Sequence, residues 1–449
     1  MPNNIKIFIT LTLILSLVPT VLTANEIKNK PKIVILMIAD GSGFTHVDAA
    51  NIYQHGRLQQ QVYEQFPIRL AVSTFPFSGY YNQERAWESF TYLKNYPTDS
   101  AASATALATG VKTFNKHIGV DSYNKPLTTI VTHAKTSQKS AGLVTSVWLS
   151  HATPAAFVAH QKSRESYELI ATEMIRESKL DVLMGVGPGM DDTNPNVIKY
   201  IGGSEIHKEA RKGIIMGADA NNDNKRDPWT VIHQRDDFKK LISQKKLPQR
   251  VLGIAHGRGG TLQQKRMGDQ LADPFVVPFD QKVPLLSEMS LGALQVLNQN
   301  DTGFFLMIEG GAIDWASHAN QLGRMIEEQI SFNNSVASVV KWIEKNSSWD
   351  ETLLVITADH ETGFLTKSFN TNVLSIKPNQ VHQISRNNST KMPEVQWNSD
   401  GHTNQLVPIY VKGVGQKYFK EAAIKTDPLR GTYLDNTDIG RILINLIKP

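Results

Sequence analysis

The chain has 449 residues, 41% hydrophobic and 20% charged, which excludes a marginal mini-protein and allows one large α/β domain. Its 47 Lys and Arg against 42 Asp and Glu leave a net charge of +5, scattered along the chain without a basic run, so nucleic acid is not expected as a specific partner. There is no cysteine, which excludes disulfides, thiol nucleophiles and Cys-ligated metal; any metal must be held by His, Asp, Glu or hydroxyl groups.

Residues 1–24 stand apart. Lys6 precedes an apolar, uncharged run from Ile7 to Val21, and Leu22-Thr23-Ala24 ends on a small residue, the pattern of a secretory signal peptide cleaved after Ala24. The run is shorter than the roughly 20 residues that a span requires and contains Pro19. No later stretch is long and apolar enough to cross a bilayer, so the remaining chain is expected in the periplasm or the medium, without a membrane span.

From there the sequence alternates short apolar runs with longer amphipathic stretches, the pattern of a doubly covered, open, mostly parallel sheet in an α/β fold. The predicted strands run from Ile33 to Ala39, Leu143 to Leu149, Phe304 to Ile308, Leu353 to Ala358 and Leu406 to Val411. The first four are followed within two residues by a potential metal ligand: Asp40, His151, Glu309 and the pair Asp359-His360. Ligands bind beyond the carboxyl ends of strands in open α/β sheets, so these side chains should meet on one rim.

Between the first two runs, Tyr96-Pro-Thr-Asp-Ser-Ala-Ala-Ser-Ala-Thr-Ala-Leu-Ala-Thr-Gly-Val-Lys112 predicts a closely packed helix stopped by Gly110, with Ser100 in its first turn. A phosphoryl group on Ser100 would be stabilised by the helix N-terminus, but the commonest reason for a serine there is an ordinary N-cap, and the position taken alone favours the cap. From about 187 to 273 the pattern loosens into an expected insertion, and a second polar insertion covers 366–400. Neither is a linker, so residues 25–449 are expected to form a single domain. Helices are predicted from Leu285 to Asn298 and from Met325 to about Lys345. Asp314 and His318 stand four apart, on one face of a helix, and His402 adds an imidazole, giving mixed N and O ligands for two zinc-type sites.

The run Asp219 to Asp227 begins like a calcium loop, but Asn224 replaces the turn glycine and Thr230 the terminal acid, so a solvated loop is expected. The glycines after Asp40 and at Gly257 to Gly260 lack nucleotide-loop spacing, and there is no Gly-x-Ser-x-Gly elbow.

These segments, IVILMIADGSG, YPTDSAASATALATGVKT, SHATPAAFVAHQKSR, FFLMIEGGAIDWASHAN, VITADHETG and DGHTNQL, resemble the bacterial alkaline phosphatases in content and order. The resemblance implies a homodimeric hydrolase of small phosphate monoesters with two zinc ions and one magnesium. It makes Ser100 the nucleophile and Arg164 the grip on phosphate. It assigns Asp314, His318 and His402 to one zinc, Asp359, His360 and Asp40 to the other, and Asp40, Thr153 and Glu309 to magnesium. His151 and Trp315 depart from the commonest pattern, where Asp and Lys stand, and are expected beside the ligands rather than among them. A phosphodiesterase or sulfatase relative is the nearest alternative, although Ser100 lacks the C/S-x-P-x-R context of a sulfatase; an exported binding protein that had lost catalysis would lack one of these residues.

Overall fold

The computed structural model describes residues 30–368, 384–385 and 391–449. The expected signal peptide and much of the 366–400 insertion lie outside them. Among the described residues eleven strands form the central sheet: β1 (Ile33–Ala39), β2 (Ile68–Ser73), β3 (Ser140–Trp148), β4 (Val182–Gly187), β5 (Thr230–Ile232), β6 (Val251–His256), β7 (Phe304–Gly310), β8 (Thr352–Thr357), β9 (Val407–Gly413), β10 (Lys425–Asp427) and β11 (Gly431–Asp435). Their order is β10-β11-β2-β9-β8-β1-β7-β3-β4-β6-β5. Pairing is parallel from β8 through β5 and between β11 and β2.

The continuous apolar runs are explained by two-sided burial. In β1, Ile33, Ile35 and Met37 enter one hydrophobic cluster with helices Phe44–His55, Leu286–Leu297 and Leu322–Asn346. Val34, Leu36 and Ile38 enter the other with helices Ser100–Thr109, Ile130–Thr136 and Asn436–Ile447. The Ala-rich helix Ser100–Thr109 is buried all round. Its small side chains let the C-terminal helix approach so closely that a Cβ on Gly440 would lie 2.6 Å from the Ala106 carbonyl oxygen.

Two expectations change. The Leu406 to Val411 run forms β9, which pairs antiparallel with both β2 and β8, so its leading end lies on the rim where β1, β7 and β8 end. The stretch at about 187–273, expected as an insertion with small elements of its own, does carry such elements, among them helices Gly203–Lys212 and Arg235–Ser243, but its strands β5 and β6 join the central sheet and extend it. Its pattern is loose because β5 is three residues long and Gly253 interrupts β6, where a Cβ would lie 2.6 Å from the Phe238 ring. The Asp219–Asp227 loop closes on itself: Asp219 accepts the N–H groups of Asp223 and Asn224, and Asp227 that of Ala220.

Candidate active site

Four strand ends and one helix start meet on one rim. Asp40 follows β1, and Glu309 is near the end of β7. Asp359 and His360 follow β8. His402 arrives from the antiparallel side, where His402–Thr403 pairs with Glu361–Thr362 just beyond His360. The first glycine after Asp40 has a role here: Gly41 (φ 76°) donates its N–H to Asp359 Oδ1 at 3.1 Å, and a Cβ there would lie 2.7 Å from Asp314 Cα.

Ser100 is the first residue of its helix, not the cap. Asp99 is the N-cap, its Oδ1 accepting from Ala102 N at 2.9 Å. Ser100 is 1% exposed, and its Oγ lies 3.1 Å from His360 Nε2.

Each of three imidazoles has its Nδ1 beside an oxygen that can accept a proton from it. The partners are the Asp400 carbonyl for His318, the Thr98 carbonyl for His402 (2.8 Å) and the Thr362 hydroxyl for His360 (3.2 Å). The Thr362 hydroxyl itself donates to Asp314 Oδ1. That arrangement protonates Nδ1 and turns each Nε2 lone pair toward carboxylates.

The Nε2 atoms of His318 and His402 are 3.0 Å apart and lie 3.3 and 3.4 Å from Asp314 Oδ1. Around His360 Nε2 the spacings are 3.2 Å to Asp359 Oδ2 and 3.4 Å to Asp40 Oδ1. Four ligands at about 2.0 Å from a tetrahedral ion are about 3.3 Å apart, so both donor sets fit zinc. His360 stacks on His402 with ring centroids 3.7 Å apart and borders both sets.

A third group lies behind them. Asp40, Glu309 and His151 each place one donor atom within 4.8 Å of the others. Both Asp40 oxygens, Thr153 Oγ1 and Glu309 Oε1 are buried without a hydrogen-bond partner. Burial, then the Asp359 charge, raises Asp40 well above the usual carboxylate range. Burial raises Glu309 to about 7, and burial with the Asp314 charge raises Asp359 to about 6. Asp314 goes the other way: burial would raise it, but the His402 hydrogen bond and the charges of His318 and His402 outweigh that and hold it low. A cluster of buried carboxylates with orphaned oxygens is a cation site by its chemistry.

Arg164 Nη1 donates to Asp99 Oδ2 at 3.1 Å, and its Nη2 lies 3.3 Å from His151 Nε2. Burial and the Arg164 charge push His151 down to about 3, so the ring is neutral. Trp315 meets His151 edge to face, 5.4 Å between centroids. These residues line a cavity of about 930 Å³ above Ser100. Its other walls include Asp99, Lys116, Gln264, Lys265 and Gln270, none singled out from sequence. Only Asp99 carried a local signal, as an N-cap residue type before the helix.

The comparisons with known proteins point to one family. The family model described as alkaline phosphatase matches residues 31–392. The chain is 29% identical over 408 residues to alkaline phosphatase 4 of Bacillus subtilis, covering 78% of this chain and 77% of that protein. It is 30% identical over 348 residues to alkaline phosphatase H of Pseudomonas aeruginosa, covering 74% and 70%. Among solved structures, the cold-active alkaline phosphatase of a psychrophilic Shewanella superposes with a TM-score of 0.64 at 26% identity, over 93% of this chain and all of that one. That of the Antarctic bacterium TAB5 superposes at 0.65 and 24% identity, over 93% and 98%, a likeness of fold.

Proposed function

The chain belongs to the alkaline phosphatase family and is a phosphate monoester hydrolase; from that premise we propose that it works through a phosphoserine on Ser100 with three bound cations. The observation that carries the reading is the placement of Ser100 Oγ 3.1 Å from His360 Nε2, between the buried carboxylates and the cavity.

Asp314, His318 and His402 would hold one zinc; Asp359, His360 and Asp40 would hold the other. Asp40, Thr153 and Glu309 would hold magnesium through oxygen, with neutral His151 beside them. When bound, the cations supply Lewis-acid stabilisation of the attacking and leaving oxygens of an in-line displacement. Ser100 Oγ attacks phosphorus, the bond from phosphorus to the alcohol oxygen breaks, and the alcohol leaves with a proton. Arg164 donates two N–H groups to non-bridging oxygens, a grip that suits the planar guanidinium, and the helix N-terminus adds partial positive charge. Water then cleaves the Ser100 ester, releasing inorganic phosphate and restoring the hydroxyl.

Residues 25–449 are read as one exported catalytic domain, periplasmic or secreted after loss of the signal peptide, and assembling as a homodimer. Among the described residues no helix is long and apolar enough to cross a membrane. The test is to quench turnover of a phosphate monoester at low pH and map the trapped phosphate by mass spectrometry. Label on Ser100 supports the mechanism; label on another residue overturns it. Initial rates on a monoester, a diester and a sulfate ester, before and after chelation, separate this activity from its nearest alternatives.

A further inference from the structure

The cavity above Ser100 carries three cations, of which two are neutralised. Arg164 is paired with Asp99 at 3.1 Å, and Lys116 with Glu165 at 3.0 Å. Lys265 has no carboxylate or hydrogen-bonding partner for its Nζ among the described residues; its contact is the face of Trp315, 4.5 Å from the ring centroid. It is exposed at the rim, whereas Ser100 is buried at the floor.

The loop fixes the backbone from which this lysine projects. Leu262 N donates to the Ser146 carbonyl of β3 and Lys265 N to Thr261 Oγ1, both at 3.0 Å. Gly259 (φ 56°) lacks the Cβ that would lie 2.8 Å from Lys265 Cδ, which gives the lysine stem its path. The neighbouring Gln264 is buried, lines the same cavity, and leaves its Oε1 without a partner.

We propose that Lys265, set on Trp315, is a binding residue for a second anionic group on the alcohol portion of the substrate, and that Gln264 accepts from a hydroxyl of that same portion. The substrate class is then the phosphate monoester of a hydroxy acid or of a polyol carrying a second phosphate. This rests on the phosphatase reading of the same cavity and extends it to the leaving group. An unpaired ammonium on an aromatic face keeps its charge available, and at an exposed rim it contributes modestly.

The experiment compares kcat/KM for 3-phosphoglycerate and glycerol 3-phosphate, which share a skeleton and differ in the carboxylate. Lys265→Gln should lower the ratio of the two about fivefold, through KM of the carboxylate substrate, the size expected of an exposed pair. Lys265→Arg should restore most of the ratio, and Trp315→Leu, which removes the platform, should lower it. Added salt should compress the wild-type ratio toward that of Lys265→Gln. An unchanged ratio in Lys265→Gln overturns the inference. So does an equal loss on both substrates accompanied by weaker inhibition by inorganic phosphate, because the cation would then act on the phosphoryl group itself. Wild-type protein that hydrolyses neither ester would instead overturn the phosphatase reading.

Discussion

Asp99 ties Arg164 to the helix that carries Ser100: Oδ2 accepts from Arg164 Nη1 at 3.1 Å while Oδ1 accepts from Ala102 N at 2.9 Å. One carboxylate thus sets the distance between Ser100 and the Arg164 guanidinium. Asp99→Ala removes cap and link, whereas Asp99→Asn keeps the cap. Asp99→Ala should be the less stable of the two by about 1 kcal/mol, the usual size of an N-cap. Urea unfolding of both variants measures the difference, and equal midpoints with equal slopes would refute the role of the cap.

Replacing Ser100 by Ala should abolish covalent phosphate and lower kcat by a factor on the order of 10³ or more. A residue of turnover should survive, because Arg164 and the cation sites still act on a bound ester. Undiminished turnover by a variant that cannot be labelled would exclude the serine ester as an intermediate.

Cation binding should strengthen with pH. With Asp359 raised to about 6 and Glu309 to about 7, the cation-free folded chain keeps protons that the unfolded chain has lost above about pH 4.5. Their contribution to cation-free stability therefore falls as pH rises through that window, and a cation that displaces the protons restores it. The rise in Tm on adding zinc should be larger at about pH 7.5 than at about pH 5.5. A shift that shrinks with pH would contradict the placement of these carboxylates.

Loss of His318 or His402 should lower zinc content by about one ion per chain, since each supplies one of about three protein ligands. Their side chains are 41% and 14% exposed, whereas those of Asp40, Asp359 and His360 are fully buried, so a metal held by His318 and His402 should be the first lost to a chelator. Elemental analysis of both alanine variants decides the point; full occupancy in both would remove the site.

Gly41→Ala should cost stability and metal together. The residue sits at φ 76°, and its Cβ would lie 2.7 Å from Asp314 Cα, so β1 and the helix bearing Asp314 would have to separate. Expected are a Tm lower by several degrees, for a loss of about 1–3 kcal/mol, and weaker zinc retention. Parent-like values of both would show that the two segments can part freely.

Trp315→Lys should tighten inhibition by inorganic phosphate several-fold and slow turnover at saturation, because an ammonium near the phosphate adds attraction where the ring has none. Lys265 already stands over that ring, so the gain should be larger when Lys265 is Gln. Inhibition constants for the single and double variants test this, and unchanged inhibition in both would leave Trp315 as packing alone.

Much of the site was legible in the chain because strand periodicity and ligand position are local. A continuous apolar run such as Ile33 to Ala39 dictates a strand covered on both faces, and an acid or histidine directly after it must lie at the rim. The i, i+4 spacing of Asp314 and His318 and the Ala-rich helix behind Ser100 are local in the same way. Direction and pairing are not. That β9 runs antiparallel, bringing His402 back to the rim from its leading end, depends on which strands flank it. That Asp99 holds Arg164, 65 residues away, and that Lys265 reaches Trp315 from a stretch read as an insertion, depends on contacts between segments whose sequences carry no mark of each other. Local pattern was enough for five of the eleven strands, for the helix behind Ser100 and for the donor types; which donors lie together, and that Lys265 has no carboxylate beside it among the described residues, is set by distances across the sheet rather than along the chain.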